Sequence, residues 1–104
     1  MKHYGLHGKL QATAGNGGQL TDILLKASER VATAPGCRLY LVSQDPSTPD
    51  AVWITEVWDS QEDHDNSLRV EGVRDLIGQA MPLLDGAPLP GQTLEVLGGF
   101  GIDH

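Results

Sequence analysis

The apolar positions along the chain recur with two different periods, and the changes between them mark the predicted elements. Tyr4 to Ala12 has an apolar residue or glycine at every second position, which is typical of a half-buried strand. From Gln19 to Ala34 the apolar residues recur every three or four positions, which predicts an amphipathic helix that Pro35-Gly36 ends. Cys37 to Ser43 and Ala51 to Trp58 are predicted strands. The short polar connection between them contains two prolines and indicates an antiparallel hairpin.

The second half of the chain predicts two helices and a final strand. Ser60 is a predicted N-cap, with Asp63 in the position of a capping-box acid, for a short helix over about Gln61 to Leu68. Apolar residues at helical spacing over Val73 to Leu84 predict a further helix. Thr93 to Leu97 is the last predicted strand.

This order of elements predicts a single α+β domain over residues 1–104, with a loop at Pro88–Gly91 before the last strand. An antiparallel ferredoxin-like sheet with helices on one face is the economical arrangement. Such a sheet leaves its second face exposed, and a second copy of the chain could cover that face and close a dimeric α+β barrel. The apolar content of 39% is lean for a monomer of this size, which also favours a homodimer.

The composition narrows the range of partners. Fourteen acidic residues against seven basic ones give a net charge of −7, which argues against nucleic acid or anionic membranes, because phosphate binding needs clustered Lys and Arg. No long apolar stretch indicates a signal peptide or a membrane span, so a cytoplasmic location is expected. Cys37 is the only cysteine, which excludes an internal disulfide, and its apolar surroundings predict a small buried hydrophobe rather than a reactive thiol.

Several motifs together resemble one known family over essentially the whole chain. They are Tyr4–Leu10, Ala34–Cys37, Tyr40, Glu56–Trp58, His64–Leu68 and Met81–Leu84. As a set they resemble the antibiotic biosynthesis monooxygenases, and most closely the branch described as quinol monooxygenases. The resemblance implies a dimeric barrel that oxidises a small aromatic substrate, phenolic or quinol-like, with O2. It also implies that no flavin, haem or metal cofactor takes part, and that each sheet forms a pocket with its helices.

The chain departs from its relatives at the histidine positions. Haem-degrading relatives carry an Asn and a His at places that fall here on His7 and Leu68, so the resemblance does not extend to haem ligation. The His that more typical monooxygenases carry nine residues after the Trp corresponds to Ser67. His64 lies one helical turn earlier.

His64 is the strongest candidate for chemistry, because imidazole, with an ordinary pKa near ~6.5, can accept a proton from a phenol if the pocket stabilises the anion. The alternative is a helix residue bound to a neighbouring acid. His7, on the opposite strand face from Tyr4 and Leu6, is either a second proton group in the same pocket or a residue bound to a backbone carbonyl at the barrel seam. The four histidines do not cluster, with His104 terminal, so no metal site is predicted.

The remaining candidates are substrate-binding residues. Glu56 and Trp58 share one face of their strand, while Trp53 is on the other. Trp58 is predicted either to wall the pocket or to pack in the core, and Glu56 either to bind substrate, to orient a His or to pair with an Arg such as Arg38. Three further candidates are Tyr40, Asn66 and Ser67.

Two other functions remain open. One is an isomerase or other proton-transfer enzyme that acts on a small carbonyl metabolite with the same His, because the same fold hosts an isomerase. The other is a non-catalytic dimer that binds an aromatic ligand.

Overall fold

The computed structural model describes residues 2–86 and 91–102. Most of the predicted loop at Pro88–Gly91, and His104, lie outside the described residues. The strands are β1 (His3–Gln11), β2 (Cys37–Asp45), β3 (Thr48–Trp58) and β4 (Gln92–Val96). The helices are α1 (Gly17–Val31), α2 (Gln61–Ser67) and α3 (Val73–Ala80), and a 3-10 turn at Met81–Leu83 follows α3.

All four strands are antiparallel to their neighbours and lie in the order β2-β3-β1-β4. This is the ferredoxin-like arrangement, so the predicted α+β fold is confirmed, as are the type and order of every predicted element. The central register pairs Tyr4 with Trp58 and Leu6 with Glu56. Because paired residues share a face and neighbours alternate, Glu56 and Trp58 point toward the helices and Trp53 points away from them, as predicted.

The ends of several elements differ from the prediction. Helix α1 begins at Gly17, because the Asp50 carboxylate accepts hydrogen bonds from the backbone N–H groups of Gly15 (3.1 Å) and Gly17 (2.9 Å). A side chain from the neighbouring strand therefore satisfies N–H groups that the helix start leaves open. Helix α3 is shorter than predicted, because Pro82 lies in the 3-10 turn that follows it.

The core lies between the inner sheet face and the helices α1 and α3, in two clusters. One cluster includes Leu20, Leu24 and Val52, and the other joins Trp58 to Val31, Ala34 and Val73. Trp58, Leu20 and Val52 are fully buried, and burying such large apolar side chains contributes about 1.5–3 kcal/mol each. None of the described helices is both long and apolar enough to cross a bilayer.

Candidate functional site

Helix α2 starts directly after β3 and returns His64 to the inner face of the sheet. Ser60 is extended (φ −154°, ψ 163°), and its hydroxyl accepts a 3.1 Å hydrogen bond from the backbone N–H of Asp63, as the capping pattern predicts. The turn is braced by a 2.8 Å hydrogen bond from the Asp59 N–H to the carbonyl of Gly36. These contacts fix where α2 starts after β3, and His64 lies in the last turn of this short helix.

His64 lies within a group of aromatic and acidic side chains. Its ring is edge-on to Trp58, with centroids 5.9 Å apart and planes at 81°, and it lies 5.5 Å from the ring of Tyr4. The Nε2 atom is 3.8 Å from Oε1 of Glu56, and Nδ1 is 3.0 Å from Oδ1 of Asp65. The imidazole thus stands between a buried carboxylate and an exposed one.

Glu56 is 7% exposed and accepts a 2.9 Å hydrogen bond on Oε1 from the indole N–H of Trp58. Burial raises the pKa of this carboxyl above its ordinary value, because the charged form loses hydration. The Trp58 hydrogen bond and the nearby His64 act in the opposite direction on the pKa but do not cancel the effect of burial. Glu56 is therefore a carboxylate with increased affinity for a proton.

Tyr40 is cross-strand from Glu56 on β2. Burial, and secondly the charge of Glu56, raise the pKa of the Tyr40 phenol far above its ordinary value. Tyr40 therefore remains a neutral hydroxyl and can donate a hydrogen bond to an oxygen atom of a bound molecule.

An apolar cavity of about 220 Å³ lies between the sheet and helices α1 and α3, and Tyr40, Glu56 and His64 line one end of it. Its polar lining residues are Tyr40, Glu56, His64 and Ser67. The apolar lining includes Leu24, Ala27, Leu76, Ile77, Ala80 and Met81. Convergent polar groups at one end of an apolar cavity are typical of a site for a small organic ligand.

A second cavity of about 200 Å³ shares part of this lining. Tyr40 and Glu56 face both cavities, whereas Leu6, Gly8 and Gly91 line only the second and His64 lines only the first. Glu56 and Tyr40, together with Leu10 and Leu24, therefore line both spaces.

The structure brings together four of the predicted site residues, Tyr40, Glu56, His64 and Ser67. The Ser67 hydroxyl donates to the backbone carbonyl of His64, although Ser67 also lines the cavity. Asn66 is exposed and outside the cavity lining. Trp58 packs in the core and does not line either cavity, so it holds Glu56 in place rather than forming a pocket wall.

His7 is not part of this group, which corrects the expectation that it could share the pocket. It pairs with Thr55 across the sheet, and its Nδ1 atom is 2.9 Å from the Thr55 hydroxyl oxygen. Its ring stacks on Trp53 at 5.2 Å. The strand alternation that turns Leu6 toward the helices turns His7 to the outer face.

Of the partners expected for Glu56, the structure places a His, His64, beside it, whereas Arg38 binds elsewhere. The Arg38 Nε atom donates a 2.7 Å hydrogen bond to Asp59, and its Nη1 atom donates to the carbonyl of Ile102. The register shifts between Cys37 and Leu39, so Arg38 lies at an irregularity of β2. Cys37 is half-buried, and burial raises the pKa of its thiol, which fits the prediction of an unreactive cysteine.

The contact between His64 and Asp65 matches the alternative given for His64, a helix residue bound to a neighbouring acid. Asp65 itself was not among the named candidates. Its position beside His64 was the available signal, but an acid next to a helical histidine is common on surfaces. Within residues 2–86 and 91–102, no three His, Cys, Asp or Glu side chains are grouped so that they could hold a metal ion.

Comparisons with known proteins agree with the fold. The family model for antibiotic biosynthesis monooxygenase matches residues 4–79. A proposed antibiotic biosynthesis monooxygenase from Chloroflexus aurantiacus is 44% identical, with a TM-score of 0.86 over 97% of this chain and 99% of that one. A search of curated proteins gave no significant match.

More distant solved structures show the same fold at low identity. A proposed antibiotic biosynthesis monooxygenase from Caulobacter crescentus is 16% identical with a TM-score of 0.81, over 92% of this chain and 91% of that one. A protein from Pseudomonas aeruginosa is also 16% identical, with a TM-score of 0.76 over 92% of this chain and 93% of that one.

Proposed function

The chain belongs to the antibiotic biosynthesis monooxygenase family, and we propose that it oxidises a quinol or polycyclic phenol with O2, without a metal or organic cofactor. The reaction takes place in the cavity beneath α1 and α3. The main observation in support of this proposal is that Glu56 and His64 lie 3.8 Å apart at the polar end of an otherwise apolar cavity.

The chemistry follows from what such a substrate needs. A phenol or quinol reduces O2 readily only as its anion, so the protein must help to remove a proton and must keep water away from the anion. His64, close to Glu56, assists the deprotonation, and the neutral Tyr40 hydroxyl can stabilise the oxyanion by donating a hydrogen bond. For an anthrone-type substrate, a ring CH2 becomes C=O with one atom of O2, and the other atom leaves as water.

The dimensions of the cavity favour a small ring system. At about 220 Å³ it is below the range of about 300–1,000 Å³ for pockets that hold drug-sized ligands. A one- or two-ring quinol therefore fits the first cavity better than a larger polycycle, which would also need the space beyond Glu56 and Tyr40.

We also propose that two copies associate through the outer face of the sheet. Leu41 on β2 and Leu94 on β4 are on this face and are each 51% exposed. In the segment after β4, Leu97 is 74% exposed and Phe100 is fully exposed. Exposed apolar groups of this kind are typical of a surface that another chain covers.

The test is oxygen uptake by the purified protein after treatment with a strong chelator. The panel contains one- and two-ring hydroquinones and an anthrone, and the variants are His64→Ala and, as a matched control on the same helix, Glu62→Ala. We expect uptake by the wild type and by Glu62→Ala, and a loss of at least about tenfold in His64→Ala.

Other outcomes distinguish the alternatives. Uptake that disappears with chelation and returns with added metal contradicts the cofactor-free mechanism. Turnover of a carbonyl compound without O2 supports an isomerase. Saturable quenching of Trp fluorescence by a quinol, with no turnover under any condition, supports a binding protein.

A further inference from the structure

Three side chains lead from the cavity to the protein surface in order of increasing exposure. The side chain of Glu56 is 9% exposed, that of His64 is 18% exposed and that of Asp65 is 60% exposed. Glu56 Oε1 lies 3.8 Å from His64 Nε2, and His64 Nδ1 lies 3.0 Å from Asp65 Oδ1. The two ring nitrogens of one imidazole therefore face the two carboxylates, one buried and one at the surface.

Glu56 is placed closer to the centre of the binding space than His64 is. Glu56 lines both cavities, whereas His64 lines only the first. A phenol in either cavity can therefore reach Glu56. Trp58 holds Oε1 through its indole N–H, which leaves Oε2 as the oxygen with capacity to accept a proton from a ligand.

We propose that Glu56 accepts the proton of the substrate hydroxyl and that His64 passes this proton to Asp65 and solvent. This inference rests on the proposed function and deepens it, because it assigns the direct acceptor and a path for proton release. Glu56 is then a catalytic residue, and His64 and Asp65 act through it.

The proton balance of each step is simple. The substrate O–H bond breaks, its electron pair stays on the oxygen as the phenolate, and the proton bonds to Oε2 of Glu56. The protonated carboxyl of Glu56 then turns so that Oε2, rather than Oε1, faces Nε2 of His64. A side-chain shift of about 1 Å brings the two groups to hydrogen-bonding distance, and the proton passes to Nε2. The imidazolium loses its Nδ1 proton to Asp65, from which water removes it. Proton exchange with water then returns the neutral ring to the tautomer with a free Nε2, ready for the next turnover.

Among the described residues, the other polar groups around Glu56 offer no alternative route. Lys9, which lines the second cavity with Glu56, carries a side chain that only donates. Tyr40 and Cys37 face it from β2, and burial raises the pKa of both, so both stay protonated. Trp58 can only donate, and the Tyr4 ring contacts His64 from β1. Helices α1 and α3 contribute apolar side chains to this cavity, so the proton leaves Glu56 through His64.

The raised pKa of Glu56 supports its role as the acceptor. General-base catalysis is most efficient when the proton affinity of the base approaches that of the substrate group. Burial moves the Glu56 carboxyl toward that condition, because it raises its pKa. An exposed carboxylate such as Asp65 is suited to releasing a proton to water.

The kinetic test measures oxygen uptake in Glu56→Gln, His64→Ala, Asp65→Asn and Glu62→Gln, with and without imidazole in the buffer. We expect kcat to fall by at least about 100-fold in Glu56→Gln and not to recover with imidazole. The loss in His64→Ala should be smaller and should be largely restored by imidazole. Asp65→Asn should make kcat depend on buffer concentration, and Glu62→Gln, which removes a charge from the same helix, should match the wild type.

One pattern of activities would contradict the proton relay. If Glu56→Gln keeps near wild-type kcat while His64→Ala abolishes it and imidazole does not restore it, His64 is the direct acceptor and the relay is wrong. A Glu56→Gln variant that is inactive because it does not fold would be recognised by its lost near-ultraviolet circular dichroism.

A second measurement does not depend on turnover and separates this inference from the proposed function. The ring nitrogen shifts of 15N-labelled His64 are followed against pH. We expect a step that reports titration of Glu56, which is absent in Glu56→Gln and present in Asp65→Asn. Identical curves in the wild type and Glu56→Gln would overturn the relay even if the protein consumes oxygen. If the His64 shifts report the titration of Glu56 but the protein consumes no oxygen, the oxygenase function is rejected and the contact on which the relay depends is kept.

Discussion

The indole N–H of Trp58 donates a 2.9 Å hydrogen bond to Oε1 of Glu56, two residues earlier on the same strand face. Trp58 has no exposed surface, and Glu56 is 7% exposed. The bond satisfies the buried indole donor and holds the carboxylate at the boundary of the two cavities. The pair therefore links the packing of the core to the candidate chemistry.

Replacing Trp58 with Phe should destabilise the protein by about 2 kcal/mol or more, because a buried hydrogen bond to a charged group and some core volume are lost. Denaturant unfolding measures the change. Trp53→Phe is the matched control: Trp53 is half-buried and stacks on His7 on the outer face, so it should lose less stability. Equal losses would contradict a special role for the Trp58–Glu56 bond.

Replacing Glu56 with Gln should alter the pH dependence of stability. Because the folded pKa of Glu56 is raised, its stabilising contribution is complete below its ordinary pKa and is lost as pH rises through the folded value. Gln can accept the Trp58 hydrogen bond and does not ionise. At pH 7 the Tm of Glu56→Gln should therefore equal or exceed that of the wild type, by roughly 4–8 °C for each kcal/mol.

The same comparison at acidic pH completes this test. The difference in Tm should shrink toward about pH 4, where Glu56 is protonated in both the folded and unfolded states. Glu62→Gln, at an exposed position, should follow the wild type at every pH. If the wild type instead gained stability relative to Glu56→Gln between pH 4 and pH 7, the pKa of Glu56 would be lowered by folding, and the prediction would be wrong.

Filling the first cavity should block ligand binding without unfolding the protein. Ala27 lines the cavity from α1, so Ala27→Leu places three extra carbons in empty space. We expect quinol binding, followed by Trp fluorescence, to weaken by at least about tenfold, while Tm changes by only a few degrees. Ala32→Leu, at the exposed end of the same helix, is the control. Unchanged binding in Ala27→Leu would place the ligand elsewhere.

A charge on the outer face of the sheet should dissociate the proposed homodimer. Leu94 points to this face and Thr93 points to the other, and both are exposed. Light scattering after gel filtration should show a dimer for the wild type and Thr93→Glu, and a monomer for Leu94→Glu, because burying an unpaired charge is costly. A dimer in Leu94→Glu would remove this face from the interface.

The turn that positions His64 should depend on Gly36. Gly36 and Gly15 both have φ of +84°, but a Cβ on Gly36 would overlap the Asp63 side chain, whereas one on Gly15 meets open space. Gly15→Ala should therefore lose about 1–2 kcal/mol from backbone strain. Gly36→Ala should lose at least about 1 kcal/mol more, since α2 must also shift. Similar unfolding free energies for the two variants would mean that Asp63 moves aside freely.

Much of the fold follows from local pattern. Alternation identified β1, and the short polar connection with two prolines indicated the β2–β3 hairpin. Spacing of three and four identified α1 and α3, and Ser60 with Asp63 marked the start of α2. These signals depend on residues that are neighbours in sequence, so they can be recognised without the tertiary structure. The start of α1 could not be predicted in this way, because Asp50 on the adjacent strand satisfies its first N–H groups.

The same distinction between local pattern and tertiary packing applies to the candidate site. By itself, the sequence determined that Glu56 and Trp58 share a strand face and that His64 follows on a capped helix, because both depend on local backbone geometry. Only the tertiary structure decided that Glu56 bonds to Trp58, that His7 is on the outer face, and that His64 joins Glu56 to Asp65. Side-chain partners and the cavity itself depend on how the helices pack on the sheet, and no local pattern specifies the space that this packing leaves.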